Sequence, residues 1–201
     1  MRRINVLLAA FIITGLFAFT NSKTYKIGDS ISDFELKNID NSKISLSTLK
    51  NNKGAIIVFT CNHCPYAKAY EDRIIELGKK YKETYPVLAI NPNDPTNYPE
   101  DDFEHMVKRA QEKSYTFPYL LDDTQEVASA FGATKTPHVY LLKKEKEEYI
   151  LVYIGAIDDN YHDASQVREN YLENAINELE AGNAISQKET KAIGCSIKWK
   201  Q

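Results

Sequence analysis

Cysteine is scarce in this chain: three among 201 residues, too few to staple a small disulfide-rich scaffold. A basic excess is missing too. Lys plus Arg number 25 against 28 Asp plus Glu, a net charge of −3, so the bulk positive charge of a dedicated nucleic-acid binder is absent. The sequence contains no internal repeat and no low-complexity tract, and 43% hydrophobic with 26% charged residues is an ordinary globular balance, which excludes fibrous and wholly disordered readings. No apolar run reaches the ~20 residues that a membrane span prefers. The nearest approach, residues 6–19, is interrupted only by Thr14 and Gly15 and follows Arg2 and Arg3.

That N-terminal pattern, a short charged stretch and then an apolar one, is the composition of a secretory signal. Residues 1–22 are therefore expected to be a leader, cut between Ala18 and Ser22 although no clean small-x-small site is present. An uncleaved anchor is the alternative, and only then would the protein touch a membrane. The leader holds no cysteine to carry a lipid. Residues 23–182 are expected to form one domain, and 183–201 a C-terminal tail. Export, to the periplasm in this reading, would place the cysteines where disulfides persist and need enzymes to make, break or shuffle them.

Within the domain, 36–46 reads as a hairpin turning at Asp40-Asn41. The continuous apolar run at 54–60 has strand length and is the signature of a strand buried on both faces. From 64 to 82 the pattern turns helical, with Ala67, Tyr70, Ile74, Leu77 and Tyr81 at three- and four-residue spacings. A second buried strand is expected at 86–90, a loop at 91–95, a helix at 101–115 with acids in its first turn, and a short strand at 118–121. A short helix capped by Thr124 and stopped by Gly132 should follow, then an antiparallel pair at 138–142 and 149–154 and a last helix at 165–181. The early alternation of strand and helix implies an α/β fold with parallel strands and helices on both faces. Sites in such sheets lie beyond the carboxyl ends of strands, where Cys61 falls.

Cys61-Asn62-His63-Cys64-Pro65 carries the chemistry. Reactivity of a thiol follows its pKa, and a helix N-terminus, with its unpaired N–H groups, favours the thiolate. Cys61 is placed there, His63 can add positive charge, and Cys64 can form or resolve a disulfide with Cys61. Pro65 is tolerated because first-turn N–H groups lack intrahelical acceptors. A static cross-link over so short a loop would gain little entropy. Zinc usually needs a second Cys/His pair, whereas His105, His138 and His162 are scattered and Cys195 is remote. Covalent haem attachment needs histidine where Pro65 stands. The reading therefore calls for no metal and no cofactor.

Together with this motif, the opening Ile27-Gly28-Asp29, Asp33-Phe34-x-Leu36 and Ile44-x-Leu46-x-x-Leu49-Lys50, the strand end Phe59-Thr60-Cys61, and Thr136-Pro137 before the strand at 138–142 make the chain resemble the thioredoxin superfamily. Within it the resemblance is to the redoxin branch, which includes AhpC/TSA-like and extracytoplasmic TlpA/ResA-like proteins, and it spans about residues 27–181. It implies a thioredoxin-like fold, a central mixed β-sheet flanked by helices, here with an N-terminal β-hairpin extension. It also implies that Cys61 attacks and Cys64 resolves, and that Thr136-Pro137 forms a cis-proline turn opposite them whose backbone holds an extended substrate. Thr60 replaces the usual tryptophan. Ala55 replaces the buried acid of thioredoxin itself, and the histidine between the cysteines is similar to that of more oxidising members. A peroxidase motif, Thr-x-x-Cys, would need threonine where Cys61 stands.

The expected activity is thiol–disulfide exchange on protein thiols and disulfides, with an unidentified redox partner and no nucleic acid. A thiol peroxidase is the enzymatic alternative, and a copper- or zinc-binding module the non-enzymatic one. Cys195 is an accessory thiol candidate, either redox-active or inert. His138 either faces the site or is a satisfied surface histidine, and Tyr66 and Tyr70 are read as packing residues.

Overall fold

The apolar run predicted as a doubly buried strand is the centre of the molecule. In the computed structural model, which describes residues 24–49 and 51–201, every residue of strand β4 (Gly54–Phe59) is buried. It pairs in parallel with β5 (Val87–Asn91) and antiparallel with β8 (His138–Glu145). Strands β1 (Ser30–Ile31), β2 (Glu35–Asn38), β3 (Lys43–Ser45), β6 (Tyr119–Leu121) and β9 (Glu148–Gly155) complete an eight-stranded sheet ordered β1-β9-β8-β4-β5-β6-β2-β3. β2 and β3 pair about the Asp40-Asn41 turn, and Asn41 takes the positive φ of 66° that asparagine tolerates.

Alternation of side chains across the central strands divides the core. Ile56, Val58, Val87, Ala89 and Leu141 face helices α1 (Pro65–Lys80), α2 (Phe103–Glu112) and α4 (Tyr171–Glu180). Ala55, Ile57, Phe59, Leu88 and Tyr140 face the opposite way, toward α3 (Glu126–Phe131) and the N-terminal segment. The mixed sheet covered on both faces is the architecture expected from the sequence.

Several boundaries differ from expectation, among them the short helix, which begins at Glu126 with Gln125 rather than Thr124 as its N-cap. The second helix starts at Phe103 rather than 101, because Asp102 is its N-cap and takes the His105 N–H at 2.8 Å, while Asp101 belongs to a preceding 3-10 turn begun by Pro99. The last helix is shorter than 165–181: Asp163 closes a separate turn on Ser165, the Arg168 N–H goes to Asp159, and α4 begins only at Tyr171. The tail, for which no secondary structure was expected, is bound along the domain. Glu189 pairs with Ile154 at the free edge of β9, and β10 (Cys195–Ser196) pairs antiparallel with β7 (Lys135–Thr136). The leader expected at 1–22 lies outside the described residues. Among the described residues no helix is long and apolar enough to cross a membrane.

Two consequences are measurable. Ile57 is fully buried at the middle of β4, so Ile57→Ala should destabilise by ~2–5 kcal/mol through lost burial and a residual cavity. Urea denaturation should show a lower midpoint at unchanged slope, and a cost below ~1 kcal/mol would place Ile57 outside a close-packed core. His138 is also buried, and burial pulls its imidazole from 6.5 down to about 4. Between these values the unfolded chain binds the proton and the folded chain does not, so stability should fall as pH drops from about 6.5 toward 4. His138→Gln should remove that part of the pH dependence, read as the difference between wild-type and variant denaturation curves at pH 7 and pH 5.

Candidate active site

Strand β4 delivers Cys61 to the carboxyl end of the sheet, where Thr60 still donates to the Ile90 carbonyl at 2.9 Å. The helix does not open on Cys61 as expected. It begins at Pro65, making Cys64 the N-cap in extended conformation and Pro65 the first-turn residue, a position it favours because its φ is preset and its N–H dispensable. Cys64 is fully buried and Cys61 retains 6% exposure, so Cys61 is the more exposed residue of the pair.

Thr136 faces both sulfurs. Its hydroxyl lies 3.2 Å from Cys61 Sγ, and its carbonyl accepts from Cys64 Sγ, also at 3.2 Å. The Thr136–Pro137 bond is cis, as the resemblance implied. A proton on Cys61 donated toward Cys64 would lower the Cys64 pKa, against the cost of its burial. The same hydrogen bond pushes Cys61 up, with burial and the negative charge of Asp101 adding to it. Thr136 favours the opposite placement. Its hydroxyl can donate to a Cys61 thiolate, while its carbonyl can only accept from a protonated Cys64.

Asp101, fully buried, organises the other side. Its Oδ1 accepts the backbone N–H groups of Asn62 at 2.7 Å and His63 at 3.1 Å. Its Oδ2 accepts from Asn93 Nδ2 at 2.8 Å and lies 2.5 Å from His63 Nδ1. Asn62 is fixed further by donation to the Glu100 carbonyl and by the Tyr119 hydroxyl. The His63 ring stacks on Tyr98 at 4.4 Å between centroids and reaches Cys61 Sγ at 3.8 Å. A loop at 91–95 and a helix from 101, as the sequence predicts them, assign no role in the site to Asn93, Tyr98 or Asp101. The available signal was an acid in a loop that must lie at the same sheet end as Cys61.

Cys195 is the third thiol brought here. It packs against Cys61, Cys64 and Ala67, and its backbone is the register partner of Thr136. The Thr136 main chain is therefore not free, as the sequence reading supposed, but already paired with the chain's own tail. Burial, and then interaction with Cys64, push the Cys195 thiol up to about 11. His138 does not join the site. Its Nδ1 is engaged by the Tyr140 hydroxyl at 3.1 Å and the Thr134 N–H at 3.4 Å. His105 pairs with Asp102, and His162 is exposed. Tyr66 packs against Tyr161 with the rings tilted by 49°, and Tyr70 is buried with its hydroxyl on Asp158.

Ligand atoms of Cys61, His63 and Asp101 lie within 4.8 Å of one another, and these three could converge on a metal ion. The Asp101 oxygens are already committed to two backbone N–H groups, Asn93 and His63, so binding there would have to dismantle the bonds that shape the loop.

A sequence model of the AhpC/TSA family matches residues 27–153. The thiol-disulfide oxidoreductase ResA of Oceanobacillus iheyensis is 30% identical over 131 residues, 63% of this chain and 65% of that protein, so the chain spans just under two thirds of its length. Among solved structures, an uncharacterised conserved protein from Geobacillus kaustophilus superposes with a TM-score of 0.80 at 36% identity, covering 88% of this chain and 94% of that one. The exposed lipoprotein thioredoxin of Streptococcus pneumoniae has a TM-score of 0.53 at 20% identity, covering 67% of this chain and 96% of its own, a likeness of fold. With the fold thioredoxin-like and the family match covering most of the chain, this protein belongs to the AhpC/TSA family.

Proposed function

We propose that the protein is an exported thiol–disulfide oxidoreductase that works on protein disulfides through Cys61 and Cys64. One observation carries the reading: both sulfurs converge on Thr136, whose hydroxyl and carbonyl discriminate between them. Cys61, the more exposed residue of the pair, attacks a substrate disulfide as the thiolate while Cys64 keeps its proton and the Thr136 hydroxyl donates to Cys61. The mixed disulfide is then resolved by Cys64, which loses its proton, and the Cys61–Cys64 disulfide forms as the substrate leaves reduced. The reverse sequence oxidises a substrate dithiol.

His63 acts in this reading by offsetting Asp101. A carboxylate beside Cys61 disfavours its thiolate, and the imidazole bonded to that carboxylate supplies the compensating positive charge when protonated. The basic and apolar leader composition supports export, and the name of the Oceanobacillus relative supports the reaction class. A redox partner that recharges the couple belongs to the same reading. The sulfur where a peroxidase would need threonine, at Cys61, favours exchange over peroxide reduction.

Accessibility and proton placement set the first test. Brief iodoacetamide treatment of the reduced protein, followed by mass spectrometry, should label Cys61 ahead of Cys64, and Cys61→Ser and Cys64→Ser should each abolish catalytic reduction of a protein disulfide. Labelling of Cys64 first would reverse the assigned roles. Retained turnover in both serine variants would sink the reading.

His63 gives the second. His63→Ala should leave Asp101 uncompensated, raise the Cys61 pKa and make the disulfide harder to reduce, lowering the midpoint potential measured in thiol redox buffers. A shift smaller than ~10 mV, roughly 0.5 kcal/mol for two electrons, would make His63 a bystander.

A further inference from the structure

The segment that occupies the substrate side of Thr136 belongs to the protein itself. The tail is tied down on both flanks of the site. Upstream, Thr190 donates its N–H to Ile154, and its hydroxyl is bonded to Tyr153 and Ala156. Downstream, Ile197 is buried in the sheet core, and the Lys198 backbone donates to Asn93 and accepts from Asp94 and Gln125. Between these anchors Cys195 pairs with Thr136 and Ser196 with Lys135, as an added antiparallel strand would. Gly194 makes the approach possible: a Cβ there would lie 2.3 Å from the Thr136 carbonyl oxygen and 2.7 Å from its carbon. The sulfur so delivered meets Cys64, which is also in contact with Cys61.

We propose that Cys195 is a third redox-active cysteine, an intramolecular substrate that the tail seats at Thr136 to exchange with the Cys61–Cys64 disulfide. This rests on the Cys61–Cys64 reading and extends it. The Cys195 thiol gives its proton to solvent and the thiolate attacks Cys64 Sγ. A Cys64–Cys195 bond forms, the Cys61–Cys64 bond breaks, and Cys61 leaves as a thiolate that takes up a proton. One disulfide replaces another, so no external oxidant or reductant enters the step. The Thr136 hydroxyl, 3.2 Å from Cys61 Sγ, is placed to stabilise the leaving sulfur. In the Cys64–Cys195 form the tail is locked over Thr136 and Cys61 stands as a free thiol. The oxidised enzyme is self-capped until a thiolate attacks Cys64 and releases Cys195, after which a substrate enters by displacing the tail.

The test uses the full chain, oxidised with glutathione disulfide at low protein concentration, blocked with N-ethylmaleimide, and taken as the monomer band from a non-reducing gel. Trypsin leaves Cys61 and Cys64 on one peptide, 54–68, and Cys195 on another, 192–198. The expected result is a cross-linked pair of these peptides, with fragmentation placing the link on Cys64 and the maleimide on Cys61, beside the internally bridged 54–68 peptide. Gly194→Ala retains all three thiols and should cut the cross-linked pair several-fold while sparing the internal bridge. Cys61→Ser should oxidise to the Cys64–Cys195 form within one chain. An internal bridge with no cross-linked pair would overturn the third-cysteine role and leave the Cys61–Cys64 reading standing. A chain that forms no Cys61–Cys64 bridge would overturn that reading itself. Cross-links found only between chains, or undiminished in Gly194→Ala, would also overturn the proposal.

Discussion

The buried carboxylate of Asp101 is the interaction on which the rest of the site depends. A carboxylate removed from water is tolerated only when hydrogen bonds replace its hydration, and here those bonds come from the segment carrying the chemistry. By accepting from the Asn62 and His63 backbones, Asp101 fixes the path of the chain between the two cysteines. By binding the His63 ring, it fixes the position of a basic side chain near Cys61. The acid has two effects of opposite sign. It opposes the Cys61 thiolate by its charge, and it holds the imidazole that offsets that charge.

Asparagines carry this constraint outward. Asn91, at the end of β5, donates to the Asp101 carbonyl and accepts from the Asn93 backbone. Asn93 uses its amide nitrogen on Asp101 and its amide oxygen on the Lys198 backbone. The cysteine loop, the 91–101 segment and the C-terminal tail are therefore bonded in series through buried polar groups. Buried networks of this kind are favourable only when every member is satisfied, so displacement of one segment is felt by the next.

Much of this was legible in the sequence because it is local. Residues 54–60 announce a doubly buried strand by continuous apolarity, α1 shows its period through Ala67, Tyr70, Ile74 and Leu77, and the cysteine pair marks the end of the strand where an α/β sheet places its site. What escaped is what long-range pairing decides. Asp101 meets His63 across 38 positions, and Cys195 meets Thr136 across a larger gap, with no periodicity linking either pair. Asp101 was read as part of the next helix because an acid before an amphipathic run resembles a first turn, and Asp102 took that capping role instead. The tail is short, polar and rich in lysine, so its composition gave no strand signal. Its position comes from hydrogen bonds to Asn93 and Gln125, and from the buried side chains of Ile185 and Ile197.

Energetic scale separates the parts of that tail. Two paired residues, Cys195 and Ser196, cover the site, and a hydrogen bond contributes ~0.5–1.5 kcal/mol net, so this pairing alone is a weak cover. The flanks are held more firmly, by Thr190 in its pocket against Gly155 and Ala156 and by Ile197 with the Gln125 contacts. Because both flanks stay attached, the central segment acts at high effective concentration, and a weak strand can still exclude solvent from Cys64. A competing extended chain needs to displace only 191–196, leaving the anchors and the Asp101 network in place. On the proposed reading, the same sheet edge takes the protein's own tail in one state and a substrate in the other, without rearrangement of the strands that position Cys61 and Cys64.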